Sequence, residues 1–206
     1  MTKARGGKTV TVRLAQPEHA PIIAALHVAA WHETYSGLLP DEMIAALTVE
    51  VRQAWWAQLL SNPPKTPASA AYLAELGGKP VGFSTCNAQR SENLAAAGFD
   101  GEIGGLHVLR ASQGRGVGQV LMAQMATRLR TAGFRAASLW VLDGCDVAHS
   151  FYERCGGTRL GGEAGVRTLG RFTEVAYGWR DLAAVAALTP DPGPRPAARR
   201  RKPAAA

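Results

Sequence analysis

The sequence predicts a single α/β domain with a mixed central β-sheet flanked by helices, and two observations lead to this class. Strand-type alternation and helix-type spacing of apolar residues follow one another along residues 9–188. The chain has 206 residues, 47% hydrophobic and 19% charged, which is the composition of an ordinary globular protein and the length for one well-buried core.

The first half of this region predicts a strand, two helical regions and a β-hairpin. β-Branched residues alternate over Thr9–Ala15, and Pro17 then opens a helix with apolar residues at helical spacing. A second helical region over Asp41–Leu60 is expected to divide near Thr48. Gly77-Gly78 joins "ASAAYLAEL" to "PVGFSTCN", and this turn signal predicts the hairpin.

The second half predicts three strands and two helices. Strands are expected from about Phe99 to Leu109, over the buried run "AASLWVL" and over Phe172–Trp179. The clearest helix runs over Val117–Ala132 with an apolar face, and another over Val147–Cys155 ends at two glycines. The expected order is therefore β-α-α-β-β-β-α-β-α-β.

The net charge of +7 comes from the two ends of the chain. Residues 1–8 contribute +3, residues 189–206 contribute +4, and residues 9–188 are neutral. We expect a flexible basic N-terminus over 1–8, a folded domain over 9–188 and a disordered Pro/Arg-rich tail over 189–206. The tail can attract nucleic acid or acidic lipid through charge alone, but without interleaved aromatic residues a solubilising appendage is favoured.

Cysteine usage and hydropathy point to a reduced compartment. Cys86, Cys145 and Cys155 are an odd, widely spaced set without zinc-ligand spacing. No apolar run is long enough for a membrane span, and the start of the chain does not resemble a signal peptide. We therefore expect a cytoplasmic protein with no membrane association and no metal.

Three glycines, Gly114, Gly116 and Gly118, precede the helix that begins at Val117. The unpaired N–H groups and dipole of a helix N-terminus favour anions, and glycine lets a phosphate approach the backbone. The nucleotide P-loop is excluded because no lysine follows these glycines. The dinucleotide-binding fingerprint is disfavoured because Gln119 replaces its last glycine. A plain flexible loop is the remaining alternative.

A specific resemblance favours a phosphate site of another kind. Residues Gln113–Gly118 match the Q/R-x-x-G-x-G/A motif of the GNAT N-acetyltransferases, and "LHVLRASQGRGVG" resembles that family's fourth strand and third helix. "SFYERCGG" (Ser150–Gly157) resembles its F-Y-E-R-x-G signature. "WHETYSGLLPDE" and "EVAYGW" are similar to recurrent pieces of bacterial members. The resemblance spans about residues 9–180 and implies the GNAT fold.

The resemblance also implies acetyl-CoA as cosubstrate. In the family the fourth strand is bulged and splayed from the fifth, so its main-chain amides meet the pantetheine arm and form an oxyanion hole. Amides from Gln113 to Gln119 would hold the diphosphate, and Arg115 either adds a charge there or is an exposed turn residue. The implied coenzyme-binding residues are Leu106, His107, Val108, Gln113, Gly114, Arg115, Gly116, Val117, Gly118, Gln119 and Cys145.

Transfer to an amine requires two proton movements. Tyr152 matches the family's general acid, which protonates the leaving sulfur. An amine with a pKa near 10.4 must lose a proton before it attacks, so a base is needed. Glu102 is the candidate base, since before any bulge its side chain shares a face with Leu106 and Val108. An ordinary solvent-facing strand residue is the alternative.

Two positions depart from the family pattern. Cys145 stands where members often have an asparagine on the pantetheine arm, and a thiol cannot replace the hydrogen bonds of an amide. Trp140 stands where members that act on protein N-termini often have a glutamate. For the acceptor pocket the candidates are Trp31, Glu33 and Tyr35, with His27 further back and core-edge packing as the alternative.

The expected function is therefore N-acetyl transfer from acetyl-CoA to a primary amine of a small molecule, or of a protein as the weaker option. One alternative is a non-catalytic module that senses acyl-CoA. Another is a nucleic-acid-associated protein that acts through the basic tail. The sequence does not distinguish a monomer from a homodimer.

Overall fold

A nine-stranded sheet forms the centre of the part of the chain that the structure, a computed structural model, describes: residues 2–3, 8–62, 66–169 and 172–190. Its strands are β1 Thr2–Lys3, β2 Thr9–Leu14, β3 Ala70–Leu76, β4 Lys79–Ala88, β5 Gly101–Val108, β6 Ala137–Leu142, β7 Thr158–Arg159, β8 Val166–Leu169 and β9 Phe172–Trp179. They follow the order β1-β2-β3-β4-β5-β6-β9-β7, and β8 also pairs with β9. Every pair is antiparallel except β5 with β6.

Helices cover both faces of this sheet. They are α1 Ala20–Tyr35, α2 Asp41–Ala45, α3 Val49–Ser61, α4 Glu92–Ala96, α5 Val117–Thr131, α6 Asp146–Arg154, α7 Gly162–Gly165 and α8 Leu182–Ala186. Single 3-10 turns, Pro17–His19 and Arg110–Ser112, precede α1 and lie between β5 and α5. Of the described helices, none is both long and apolar enough to cross a bilayer.

The core is divided between the two faces. Ile23 of α1 and Trp56 of α3 pack with Leu73 and Phe83 on one face. On the other face, α5 and α8 pack over the strands through residues such as Leu121, Met125 and Leu182. Because burying one such side chain stabilises the fold by about 1.5–3 kcal/mol, the apolar stripe of α5 holds that helix, and its N-terminus, in place.

All the strands and helices that the sequence predicts within residues 9–188 are present, and Thr48 separates α2 from α3 as expected. Six short elements were not predicted: β1, α4, β7, α7, β8 and α8. They have two to five residues each, too few to display a period. Thr2–Lys3, in the segment expected to be flexible, pairs with β2. The rest of the predicted tail, residues 191–206, lies outside the described residues.

Two irregularities of β5 open the sheet at its centre. The register with β4 shifts between Thr85 and Cys86, which pair with Gly105 and Ile103, so Gly104 is an extra residue that forms a bulge. On the other side, β5 pairs with β6 only through Gly101 and Glu102. Beyond that point the two parallel strands diverge, as the family resemblance implied, and leave one edge of β5 without a strand partner.

Candidate active site

A cavity of about 1410 Å³ occupies the gap between β5 and β6. Its walls come from α1, β5, the glycine-rich loop before α5, β6, α6 and the β8–β9 hairpin. Most of the predicted site residues line it: Trp31, Tyr35, Glu102, Leu106, His107, Val108, Gln113, Gly114, Gly116, Gly118, Gln119, Cys145 and Tyr152. Residues from distant parts of the sequence therefore meet at one place.

The start of α5 offers unpaired main-chain N–H groups to the cavity. Gly114 and Gly116 have positive φ values of 66° and 84°, which glycine adopts without strain. The first helical hydrogen bond runs from the Val120 N–H to the Gly116 carbonyl, so the N–H groups of Val117, Gly118 and Gln119 have no intrahelical acceptor. With the helix dipole behind them, these amides fit a diphosphate.

Other residues of this loop have bracing roles. The Gln113 N–H donates to the Arg110 carbonyl at 3.2 Å, and the Gln113 side chain donates to the Val108 carbonyl at 3.0 Å. Gln113 thus ties the loop to the end of β5 and has no main-chain donor left for a phosphate. Val117 buries its side chain in the core, so only its main chain faces a ligand. Arg115 is a partly exposed turn residue.

Where β5 diverges from β6, the main-chain N–H groups of β5 point alternately to β4 and into the cavity. The Leu109 N–H donates to the Val81 carbonyl of β4 at 2.9 Å. Since successive N–H groups of a strand point to opposite sides, those of Val108 and Leu106 point into the gap, and that of His107 points to β4. Two of the three amides expected as an oxyanion hole therefore face the cavity.

The prediction that Glu102 shares a face of β5 with Leu106 and Val108 is wrong. The extra residue Gly104 in the bulge reverses the side of the sheet to which the preceding side chains point. Glu102 pairs with Asn87 and His107 with Phe83, so both lie on the α1 face, opposite Leu106 and Val108. Glu102 is also held by Arg90: Nε donates to Oε2 at 2.8 Å, Nη2 to Oε1 at 2.5 Å, and the Arg90 N–H to Oε2 at 3.2 Å. This ion pair leaves the carboxylate little free accepting capacity.

Tyr152 lies on α6 against an aromatic wall. It is buried, and its ring centroid lies 5.8 Å from that of Trp179 and 6.1 Å from that of Tyr177. Burial raises the pKa of the Tyr152 phenol well above its ordinary value, and the nearby Tyr35 adds to this. Tyr152 is therefore protonated over the whole physiological range, as a proton donor must be.

On the opposite wall, the rings of Trp31 and Tyr35 pack at a tilt of 57°, with centroids 4.5 Å apart. Burial raises the pKa of Tyr35 to about 12, with smaller contributions from Cys145 and Glu174. Glu33, a third acceptor-pocket candidate, accepts a hydrogen bond from the Arg110 N–H at 2.6 Å. Its carboxylate thus holds α1 to the loop after β5 and is not turned to the cavity.

Two histidines form an aromatic stack behind this wall. His107, His27 and Phe83 form a triangle of rings: the His107 centroid lies 5.5 Å from that of His27 and 5.1 Å from that of Phe83, and the latter two lie 5.0 Å apart. Desolvation lowers the pKa of His107 to about 4 and that of His27 to about 3. The Trp56 Nε1–H donates to His27 Nδ1 at 3.2 Å, which requires that nitrogen to be unprotonated. Both imidazoles are therefore neutral near pH 7.

Sequence reasoning gave no role to four charged residues that line the cavity: Arg90, Arg154, Arg167 and Glu174. Arg167 of β8 donates through Nε to Glu174 Oε2 of β9 at 2.6 Å, and its guanidinium carbon lies 4.3 Å from the centroid of the Trp140 ring. Arg167 lies in a glycine-rich stretch without periodicity, and only the register of β8 with β9 brings it to Glu174. The sequence offered one indication of this part of the cavity: Trp140, which contacts Arg167, had already been identified as a departure from the family pattern.

Cys145 caps α6 at the bottom of the cavity. Its N–H donates to the Leu142 carbonyl at 2.9 Å, and its buried thiol is free, like those of Cys86 and Cys155. The site thus has a main-chain phosphate cradle, an open strand edge with two aimed amides and a protonated phenol. These are the parts of an acyl-transfer site that binds a phosphate-bearing donor.

Comparison with known proteins identifies the family to which the chain belongs. Residues 25–157 match the Acetyltransferase (GNAT) family, which is more than half of the chain, and the protein belongs to that family. One similar relative is the uncharacterized N-acetyltransferase YuaI of Bacillus subtilis. It is 30% identical over 185 residues, which cover 87% of this chain and 98% of YuaI.

Solved structures confirm the fold. The PaiA N-acetyltransferase of Thermoplasma acidophilum, in complex with coenzyme A, has a TM-score of 0.62 at 16% identity, over 83% of this chain and 99% of PaiA. YncA of Salmonella typhimurium, with its cofactor acetyl-CoA, has a TM-score of 0.56 at 16% identity, over 83% of this chain and 93% of YncA. The predicted GNAT fold is therefore correct.

Proposed function

We propose that the protein transfers the acetyl group of acetyl-CoA to a primary amine of a small molecule, by direct attack with both substrates bound. The observation that carries this proposal is the meeting, in one cavity, of the open edge of β5, the N-terminus of α5 and the phenol of Tyr152. Family membership supports it, as do the coenzyme complexes of PaiA and YncA.

The coenzyme fits the described residues as follows. The N–H groups of Val117, Gly118 and Gln119 would bind the diphosphate, each charge-assisted hydrogen bond contributing about 1.5–3 kcal/mol. Those of Leu106 and Val108 would bind the thioester carbonyl and stabilise its oxygen as negative charge develops. When bound, acetyl-CoA supplies the acetyl group in activated form.

Two side chains account for the two proton transfers of the reaction, one as donor and one as acceptor. The amine forms the new N–C bond as the C–S bond breaks, and Tyr152 donates its phenolic proton to the departing sulfur. Glu102 remains our candidate for the group that accepts the amine's proton. Since three donors from Arg90 use three of its four lone-pair positions, we propose that the proton reaches the remaining one through a water.

The test is a panel of small amines incubated with acetyl-CoA, with released thiol as the readout. We expect turnover by the wild type and a fall in kcat of about 10²- to 10⁴-fold in Tyr152→Phe, with coenzyme affinity unchanged, because only proton donation is removed. Tyr72→Phe, at a buried tyrosine of β3, is the matched control and should retain full activity.

Each other outcome has a definite meaning. Wild-type turnover by Tyr152→Phe would exclude this residue as the acid. Coenzyme binding without thiol release from any amine would overturn the proposed activity and favour an acyl-CoA-sensing module.

We further propose that the protein acts in the cytoplasm, which the three free, buried cysteines support.

A further inference from the structure

One face of the sheet next to the cavity is not covered by α1 and α3. The cluster beneath these helices contains residues of β3 and β4 and, among the described residues, none of β6, β8 or β9. The register places Glu102, Trp140 and Glu174 on this same face, together with Arg167. All four line the cavity, so this face is the wall that an acceptor meets.

Among the described residues that line the cavity, the charged side chains leave one cation in excess. The two carboxylates among the described residues that line the cavity are both paired with arginines, Glu102 with Arg90 and Glu174 with Arg167. Arg154 adds a further cation, and His107 is neutral. Because no carboxylate is left to compensate an additional positive charge, the wall disfavours an acceptor that carries several cations.

The guanidinium of Arg167 has donors to spare. Glu174 accepts from Nε, and no residue that the structure describes accepts from either Nη group, so both can still donate. Contact with the Trp140 ring fixes the plane of the guanidinium, and 43% of the side chain is exposed, so a solute can reach it. A planar guanidinium held in this way matches the two oxygens of a carboxylate.

Arg167 lines the same cavity as the two phenols, Tyr35 and Tyr152. Its partner Glu174 pairs with Leu142 at the end of β6, and the Leu142 carbonyl accepts from the N–H of Cys145, the first residue before the helix that carries Tyr152. The charge of Glu174 also contributes to the raised pKa of Tyr35, which agrees with this placement. Aromatic side chains, Trp31 and Tyr35 on one side and Trp140 and Phe172 on the other, enclose the space between them.

We propose that the acceptor is a small amine that carries one carboxylate, with α-amino acids as the simplest class, and that Arg167 binds this carboxylate. The product is then an N-acetyl amino acid, and the wall of Trp31, Tyr35 and Trp140 receives the side chain of the substrate. This proposal rests on the proposed acetyltransferase activity and adds the class of acceptor.

The experiment compares each amino acid with its own amide, for example phenylalanine with phenylalaninamide and leucine with leucinamide. The amide has the same shape without the negative charge. Its amino group is less basic and therefore more often unprotonated, so intrinsic reactivity favours the amide. We expect kcat/KM for the preferred amino acid to exceed that for its amide by about 10- to 100-fold, the range of one charge-assisted contact.

Three variants assign the preference to Arg167. Arg167→Gln should abolish it by raising KM for the acid alone, and the double variant R167Q/E174Q should do the same without an unpaired Glu174. Glu174→Gln should lower KM for the acid, since the guanidinium loses its competing acceptor. Arg13→Gln removes an ion pair with Glu75 outside the cavity and is the control. Coenzyme binding by each variant shows that it is folded.

The outcomes separate the two proposals. Equal or faster turnover of the amides, or turnover only of amines without a carboxylate, overturns the acceptor class and leaves the acetyltransferase standing. A preference for acids that survives in Arg167→Gln overturns the role of this residue. No thiol release from any amine in the panel overturns the activity itself.

Discussion

At the scale of single residues, neighbours on one strand acquire different chemistry from their surroundings. Glu102 and His107 lie on the same face of β5, yet Glu102 is held in an ion pair with Arg90, whereas His107 is kept neutral by the aromatic rings around it. The residue type alone predicts neither the ion pair of Glu102 nor the lowered pKa of His107. Both follow from which groups the fold packs against the side chain.

The neutrality of His107 predicts an acid-sensitive stability. Its pKa is about 4 in the folded protein and about 6.5 in the unfolded chain, so below pH 6.5 the unfolded chain binds a proton that the folded one rejects. The stability is therefore complete above about pH 6.5 and is lost as the pH falls toward 4. His107→Phe keeps the stack but cannot titrate, and its unfolding free energy should fall less between pH 7 and 5, by about 2 kcal/mol.

Urea unfolding at the two pH values measures this difference. His32, exposed on α1, provides the control, and His32→Gln should lose as much stability as the wild type. A His107→Phe protein that loses stability as steeply as the wild type would contradict the assignment of a neutral, buried imidazole.

At the scale of elements, the start of α5 is the place where we propose that the coenzyme binds. Gly116 is the N-cap residue, with φ 84° and ψ −2°, and a Cβ built on it would lie 2.4 Å from Pro190. Gly118 packs against α6, where a Cβ would lie 2.9 Å from the Phe151 ring. Gly118 therefore lets the start of α5, with its unpaired amides, lie close to the helix that carries Tyr152.

Gly116→Ala tests this element. The substitution should lower the unfolding free energy by about 1–2 kcal/mol because of the left-handed backbone. It should also weaken coenzyme binding by at least about tenfold, since displaced amides lose at least one charge-assisted hydrogen bond. Urea unfolding and calorimetry with coenzyme A give the two values.

Gly161→Ala is the matched control for this variant. Gly161 has φ −102° and open space around its Cβ position, so we expect a change in stability of less than about 0.5 kcal/mol. Unchanged coenzyme binding by Gly116→Ala would mean that the diphosphate lies away from this helix.

At the scale of the whole molecule, the excess of positive charge lies at the two ends of the chain, and residues 9–188 are neutral. We expect the proposed reaction not to depend on this charge. A truncation after Pro190 removes five basic residues and one acidic residue and keeps every described residue that lines the cavity. We expect it to keep kcat/KM within about twofold at 0.15 M salt, where charges more than about 8 Å apart are largely screened.

Thiol release with the best amine of the panel checks this prediction, and electrophoretic retention of DNA by the two proteins is measured alongside. Loss of activity on truncation would show that the tail takes part in the reaction. Retention of DNA by the full chain only, with equal activity, would limit the tail to a charge-based role.

The sequence by itself determined the class of fold, the longer elements and the glycine-rich turn at Gly114–Gly118 that opens α5. These depend on the order of residues along the chain, through apolar periodicity and the positions where only glycine fits. The tertiary structure alone decided the face of Glu102, the role of Glu33 and the arginines of the cavity. One extra residue in β5 reverses every side chain before it, and the pairing of β8 with β9 brings Arg167 to Glu174. Such contacts join residues distant in sequence, and no local pattern encodes them.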